Sequence, residues 1–129
     1  MRITLCGSTR FKQEYQEANT RLSQAGHVVY TVSWAKEDES AATPGIKMDR
    51  ITKENLDLVH LAKILNSDAI VVVGTVEDPV THNEVPYIGE STRREIVWAQ
   101  MNGKMVYKYS DLVGSDGMWD DLTVIPRYA

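Results

Sequence analysis

Apolar positions along this chain fall into two periods, one of strands and one of helices. Arg2 to Cys6 holds the short apolar run Ile3-Thr4-Leu5-Cys6 and reads as a buried strand, closed by the polar turn Gly7-Ser8-Thr9-Arg10. Phe11, Tyr15, Ala18, Leu22 and Ala25 then recur at helical spacing, which predicts one apolar stripe along a helix that stops at Gly26. His27 to Val32 is β-branched and aromatic and predicts a second strand. Strand, helix and strand within about thirty residues make a βαβ unit, with a parallel pair and a right-handed crossover.

From Ser33 to Arg50 charges, alanines, Pro44 and Gly45 replace periodicity, so this stretch is a long excursion of the kind that forms lids or stays locally disordered. Helix text resumes at Ile51. Thr52 suits an N-cap, Ile51 and Leu56 suit a hydrophobic staple, and Leu58, Leu61 and Leu65 are expected to face inward as far as about Asn66. Asp68 to Val73 is an almost unbroken apolar strand, the mark of the centre of a parallel sheet. Gly74 to Gly89 reads as irregular, with Pro79, Pro86 and the polar pair His82-Asn83. A helix from about Ser91 to Asn102 ends at Gly103, Lys104 to Tyr109 is a further strand, and Leu122 to Ile125 is either an edge strand or a packed tail. The pattern predicts an α/β fold over residues 1–129 as a single domain: a small Rossmann-like (flavodoxin-like) three-layer sandwich with a four- or five-stranded parallel sheet.

Composition narrows the classes. The 129 residues are 43% hydrophobic and 25% charged, ordinary globular usage that does not read as disorder. A net charge of -4 argues against nucleic acid or an anionic membrane as the partner, but leaves room for a small anionic ligand met by local donors. Cys6 is the single cysteine, so no intrachain disulfide and no cysteine-based zinc cluster is expected, and it reads as a small buried hydrophobe. No apolar run approaches a membrane span, and a cytoplasmic protein is expected.

In open parallel sheets, ligands bind beyond the carboxyl ends of the strands, where loops enter helix N-termini. Two turns fit. Gly7, Ser8, Thr9 and Arg10 combine a permissive backbone, free N–H groups, two hydroxyls and a guanidinium, a cradle for an anion; the plainer reading is a capping hydroxyl and a solvated arginine. Gly89-Glu90-Ser91-Thr92-Arg93-Arg94-Glu95 opens another helix. There Glu95 either completes a Thr-x-x-Glu capping box with Thr92 or presents a carboxylate to a substrate. His60, between Leu56 and Ile64 on its wheel with Asp57 one turn before, reads first as a packing residue. Three scattered histidines are not a metal site, and neither a GxGxxG turn nor a Walker A loop is present. Trp34, Trp98 and Trp119 read as core or interface before base-stacking residues.

The opening Ile3–Arg10, the stretch from Leu58 to Val73, and Gly89–Ala99 followed by Gly103-Lys104 together resemble the nucleoside 2-deoxyribosyltransferase-like superfamily. Within it the chain is most similar to the 2′-deoxynucleoside 5′-phosphate N-hydrolases, over most of its length outside Ser33–Arg50 and the tail after about Asp111. The resemblance implies that Glu95 is the nucleophile at the sugar C1′, forming a glycosyl-enzyme intermediate as retaining glycosidases do. It implies that Gly7, Ser8, Thr9 and Arg10 bind phosphate, and that Gly89 and Ser91 take the places of the small or hydroxyl residues before the glutamate. Many members carry an aspartate where His60 stands here, so either His60 or Asp57 makes that polar contact. The turn before Glu95 is also bulkier and more charged than the family's glycine-rich one.

The expected activity is therefore cleavage of the N-glycosidic bond of a nucleoside 5′-monophosphate or nucleoside, with hydrolysis favoured over base transfer because the first turn offers phosphate donors. His60 is the first candidate for proton donor. No metal or organic cofactor is required, and the resemblance implies a homodimer or larger homo-oligomer. The alternative is a non-catalytic nucleotide-binding sensor or regulatory module of the same fold.

Overall fold

The computed structural model describes residues 1–32 and 50–110, and the sheet within them has a single switch of direction. β1 (Arg2–Cys6), α1 (Lys12–Gln24) and β2 (Val28–Tyr30) form the expected βαβ unit. α2 (Arg50–Leu65) leads into β3 (Ala69–Val72), and α3 (Glu90–Met101) leads into β6 (Met105–Lys108). These four strands pair in the order β2-β1-β3-β6, all parallel, with Ile3 beside both Val29 and Ala69 and Val71 beside Tyr107. The four-strand form of the expected parallel sheet is present among the described residues. The excursion from Ser33, the segment Leu122–Ile125, Trp34 and Trp119 lie outside them.

Side-chain parity along the strands builds two cores. Ile3, Leu5, Ala69, Val71, Val73 and Tyr107 face one side and pack against Tyr15, Ala18 and Leu22 of α1. Cys6, Ile70, Val72 and Val106 face the other side and pack against Ile64 of α2 and Ile96 and Ala99 of α3. All five residues of Ala69–Val73 are buried, the continuous apolar run expected of a strand covered on both faces. The result is a three-layer Rossmann-like sandwich. The helix after β1 lies on one face and the helix after β3 ends on the other, so the crevice between the carboxyl ends of β1 and β3 is the topological switch point.

Several local expectations are corrected. Thr52 lies inside α2, which begins at Arg50, so it is not the N-cap. Leu58 and Leu65 are 63% and 43% exposed, and the buried residues of α2 are His60 and Ile64. Leu58 sits about 200° round the helix from His60, so one cannot face the sheet unless the other turns away. Leu61 alone of the three leucines packs partly inward. Ala25 is the exposed C-cap of α1 rather than part of its buried stripe, and Phe11 is its N-cap.

The stretch read as irregular, Gly74 to Gly89, contains an antiparallel hairpin of β4 (Thr75–Glu77) and β5 (Glu84–Pro86). Three-residue strands give too little alternation to stand out from loop text. Its turn is held by the Asp78 carboxylate, which accepts the Val80 and Thr81 N–H groups at 2.8 and 3.0 Å. Those bonds lower the Asp78 pKa.

β1 and β3 are packed closely enough at their carboxyl ends to require glycine. Gly7 has φ 143°, and a Cβ there would lie 2.4 Å from the Val73 carbonyl oxygen. At Gly74 (φ 105°) a Cβ would lie 2.5 Å from the Phe11 ring. Gly7→Ala is expected to lower the unfolding free energy by about 2–4 kcal/mol, the sum of backbone strain and a clash with main chain. Gly26→Ala, with positive φ but open space around it, is expected to cost only about 1–2 kcal/mol. Urea denaturation of both variants checks the difference.

Candidate functional site

Three side chains from three elements converge behind the switch point. Cys6 ends β1 and points to the face covered by α2 and α3. His60 is on the buried stripe of α2, one turn before Ile64. Glu95 lies beside the stripe Thr92, Ile96 and Ala99 that α3 buries. His60 Nε2 is 3.4 Å from Cys6 Sγ and 3.5 Å from Glu95 Oε2. The Cys6 side chain is fully buried, and the His60 and Glu95 side chains are 10% and 19% exposed, so Glu95 is the member nearest solvent.

The cluster is polar, buried and incompletely satisfied. Glu95 Oε2 and His60 Nδ1 are buried and have no hydrogen-bond partner among the described residues. Glu95 Oε2 has His60 Nε2 3.5 Å away, the geometry of an ion-pair contact rather than of a hydrogen bond. Burial first, and then the negative charge of Glu95, push the Cys6 thiol well above its usual range and keep it protonated. Tyr15 adjoins this group from α1: its hydroxyl donates to the Gly7 carbonyl at 2.6 Å. Burial, and after it the negative charge of Glu95, raises its pKa.

α3 starts at Glu90 with Gly89 as N-cap, and neither that cap nor Phe11 at the start of α1 makes a side-chain capping bond. Thr92 is therefore inside the helix and Glu95 lies in its second turn, not its first. The capping-box reading of Thr92 and Glu95 is excluded, because the box needs Thr92 at the N-cap. The capping part of the plainer reading of the first turn fails likewise, since Ser8 and Thr9 do not cap α1, whereas Arg10 is exposed as that reading has it. Ser8 instead shapes the turn: its carbonyl accepts Phe11 N–H at 3.1 Å, and its hydroxyl lies 3.4 Å from Arg10 N–H.

Arg10 is exposed, with its guanidinium over two rings, 4.1 Å from the Tyr87 centroid and 4.8 Å from that of Phe11. Cation–π contact on two rings limits the rotamers of a long side chain and leaves its N–H edge available. Tyr87 follows β5, and its N–H is held by the Gly74 carbonyl at 2.9 Å, so the hairpin places the ring beside the first turn. Gly74 N–H in turn donates to Glu14 of α1 at 2.8 Å.

The two candidate turns thus lie close together: Gly7–Arg10 continues directly from Cys6, and Glu95 stands across from Cys6 through His60. Gly89 is half-buried, and a Cβ there would be in ordinary contact with the Tyr87 ring. Ser91 is exposed and accepts from Arg94 at 3.3 Å. Asp57 is exposed on α2, whereas His60 enters the cluster. Trp98 is structural, its indole N–H bonded to the Leu61 carbonyl at 3.2 Å between α3 and α2.

Cys6 is the residue that sequence reasoning undervalued. Strand parity was the available signal: with Ile3 and Leu5 facing α1, Thr4 and Cys6 must face the opposite helices. Phe11 and Tyr87, which seat Arg10, carried no such signal, because the hairpin that brings Tyr87 there was not visible.

No protein-family model matches the chain, and no curated protein matches it in sequence. Among solved structures it is similar to a 2-deoxyribosyltransferase from Bacillus psychrosaccharolyticus, at 16% identity and TM-score 0.58 over 84% of this chain and 71% of that one. It also matches the CMP N-glycosidase BcmB of Clostridium botulinum, at 18% identity and TM-score 0.49 over 89% of this chain and 79% of that one. At such identity the first likeness establishes architecture, and the chain has the Rossmann-like fold of a 2-deoxyribosyltransferase.

Proposed function

We propose that this chain is an enzyme that cleaves the N-glycosidic bond of a nucleoside 5′-monophosphate or nucleoside, by hydrolysis rather than base transfer. The observation that carries this reading is the Glu95 carboxylate at the switch point, whose buried Oε2 makes no hydrogen bond among the described residues and lies 3.5 Å from the His60 imidazole. An unpaired lone pair in a partly dry site is what an attacking carboxylate requires. The shared fold with a 2-deoxyribosyltransferase supports the same bond as the target.

In the first step a Glu95 oxygen bonds to C1′ as the C1′–N bond breaks, and the base leaves with the bonding pair and takes a proton from His60. In the second step water attacks C1′, gives its proton to His60 and releases the sugar phosphate and Glu95. Arg10, held over Tyr87 and Phe11, meets the 5′-phosphate together with Gly7, Ser8 and Thr9. Gly89 and Ser91 border the sugar. The catalytic set on this reading is Glu95 and His60, and the exposed Asp57 is left outside it.

A second copy of the chain completes the reading. Ile51, Asn55, Leu58, Ala62 and Leu65 are all exposed on α2 at alternating steps of four and three residues. Three of them are large and apolar, at 65%, 63% and 43% exposure for Ile51, Leu58 and Leu65. A seam with that spacing packs well against its own image. Among the described residues no helix is long and apolar enough to cross a membrane.

Chromatography of reactions with ribo- and deoxynucleoside monophosphates and free nucleosides is expected to show free base. Glu95→Gln is expected to reduce its release about a thousandfold or more. Base release that survives the substitution removes Glu95 as nucleophile, and saturable binding without release points to a sensor. Arg10→Ala is expected to weaken monophosphate binding by about 10–100-fold, the loss of a charge-assisted hydrogen bond, with little change for nucleosides. Isothermal titration separates the two ligand classes, and equal losses contradict the phosphate assignment. Sedimentation is expected to show a dimer that Leu58→Glu converts to monomer.

A further inference from the structure

We propose that Cys6, His60 and Glu95 form a binding site for a zinc ion, with three protein ligands and a fourth position open to the crevice. Among the described residues this is the cluster whose thiol, imidazole and carboxylate atoms all lie within 4.8 Å of one another. Tetrahedral zinc has bonds of about 2.3 Å to sulfur and about 2.0–2.2 Å to nitrogen and oxygen. Those lengths set ligand–ligand edges of about 3.6 Å for S···N and about 3.4 Å for N···O. The observed edges are 3.4 Å from Cys6 Sγ to His60 Nε2 and 3.5 Å from His60 Nε2 to Glu95 Oε2. Two of the three ligand edges therefore already have tetrahedral length, before any metal enters.

The remaining edge, Sγ to carboxylate, is within 4.8 Å and closes by rotation of the Glu95 side chain, the most exposed of the three. The Glu95 Oε2 atom is buried without a hydrogen-bond partner among the described residues, so coordination would satisfy it, in exchange for the Cys6–His60 hydrogen bond and the His60–Glu95 contact. A thiolate, an imidazole and one carboxylate form a donor set that suits zinc far better than magnesium or calcium. Binding displaces the Cys6 thiol proton to solvent, so affinity rises with pH.

The metal and the proposed displacement use the same oxygen. On the reading of Glu95 as nucleophile, zinc at this site is a reversible inhibitor, since a coordinated carboxylate cannot attack C1′.

Cobalt(II) is the direct probe. Because Cys6 is the single cysteine of the chain, a thiolate-to-cobalt charge-transfer band reports this site and no other. Titration of metal-free, reduced protein is expected to give that band together with the intense visible bands of four-coordinate cobalt, saturating at one ion per chain and abolished by excess zinc. Cys6→Ser is expected to remove the charge-transfer band. Glu95→Gln, on the partly exposed helix face, is expected to keep the fold and weaken zinc binding by about 10–100-fold or more.

Absence of the band in the unaltered protein overturns the proposal, as does zinc affinity unchanged in both variants when circular dichroism shows them folded. Base release is assayed in parallel with and without a chelator. Cobalt bands without base release under chelation keep the metal site and remove the glycosidase reading. Chelator-insensitive release without cobalt bands does the reverse.

Discussion

Gly7 and Val73 come so close that no side chain fits between them. The 2.4 Å separation between a hypothetical Gly7 Cβ and the Val73 carbonyl is well inside van der Waals contact. The carboxyl ends of β1 and β3 are drawn together there, and the Tyr15 hydroxyl clamps the Gly7 carbonyl from the helix that follows. That contact fixes where β1 ends and therefore where the Cys6 side chain emerges. It also brings Gly74 against Phe11, which sets the origin of the hairpin and the position of Tyr87 under Arg10. A one-residue slip in this register turns Cys6 to the α1 side and dissolves the cluster.

Around that constraint the molecule separates stability from chemistry. The stabilising burial lies in Ile3, Leu5, Ile70, Val71 and their helix partners, each worth about 1.5–3 kcal/mol on removal from water. The Cys6, His60 and Glu95 cluster contributes in the opposite direction. A buried carboxylate oxygen and an imidazole nitrogen without hydrogen bonds among the described residues are a local cost that the 3.5 Å contact between Glu95 and His60 offsets in part. The same unsatisfied lone pair supports both the displacement at C1′ and the capture of a metal ion. The two readings are competing uses of one atom.

The hairpin has a different role. It adds little core, since β4 and β5 are three residues each and its tip is exposed. What it contributes is position: Tyr87 enters the crevice from a segment distant in sequence from Arg10 and restricts that guanidinium by stacking. On the proposed reading of Arg10 as a phosphate ligand, an arginine held in this way loses less entropy on meeting an anion than a free one.

The βαβ unit, the buried central strand and the two polar turns were legible in the sequence because each depends on local periodicity and turn chemistry. Arg2 to Cys6 and Asp68 to Val73 announce strands by composition alone, and Gly7 marks a turn whatever surrounds it. The rotation of α2 was not legible. Leucine-rich text offers several candidate inward faces, and only packing against β1 and α3 selected His60 and Ile64 over Leu58 and Leu65. The start of α3 at Glu90, which removes Glu95 from a cap, was likewise decided by the chain that precedes it. The sequence by itself determined which residues could carry chemistry. Only the tertiary structure decided which of them meet, because Cys6, His60 and Glu95 sit on separate elements, and no local pattern encodes a contact between elements that pairing and packing bring together.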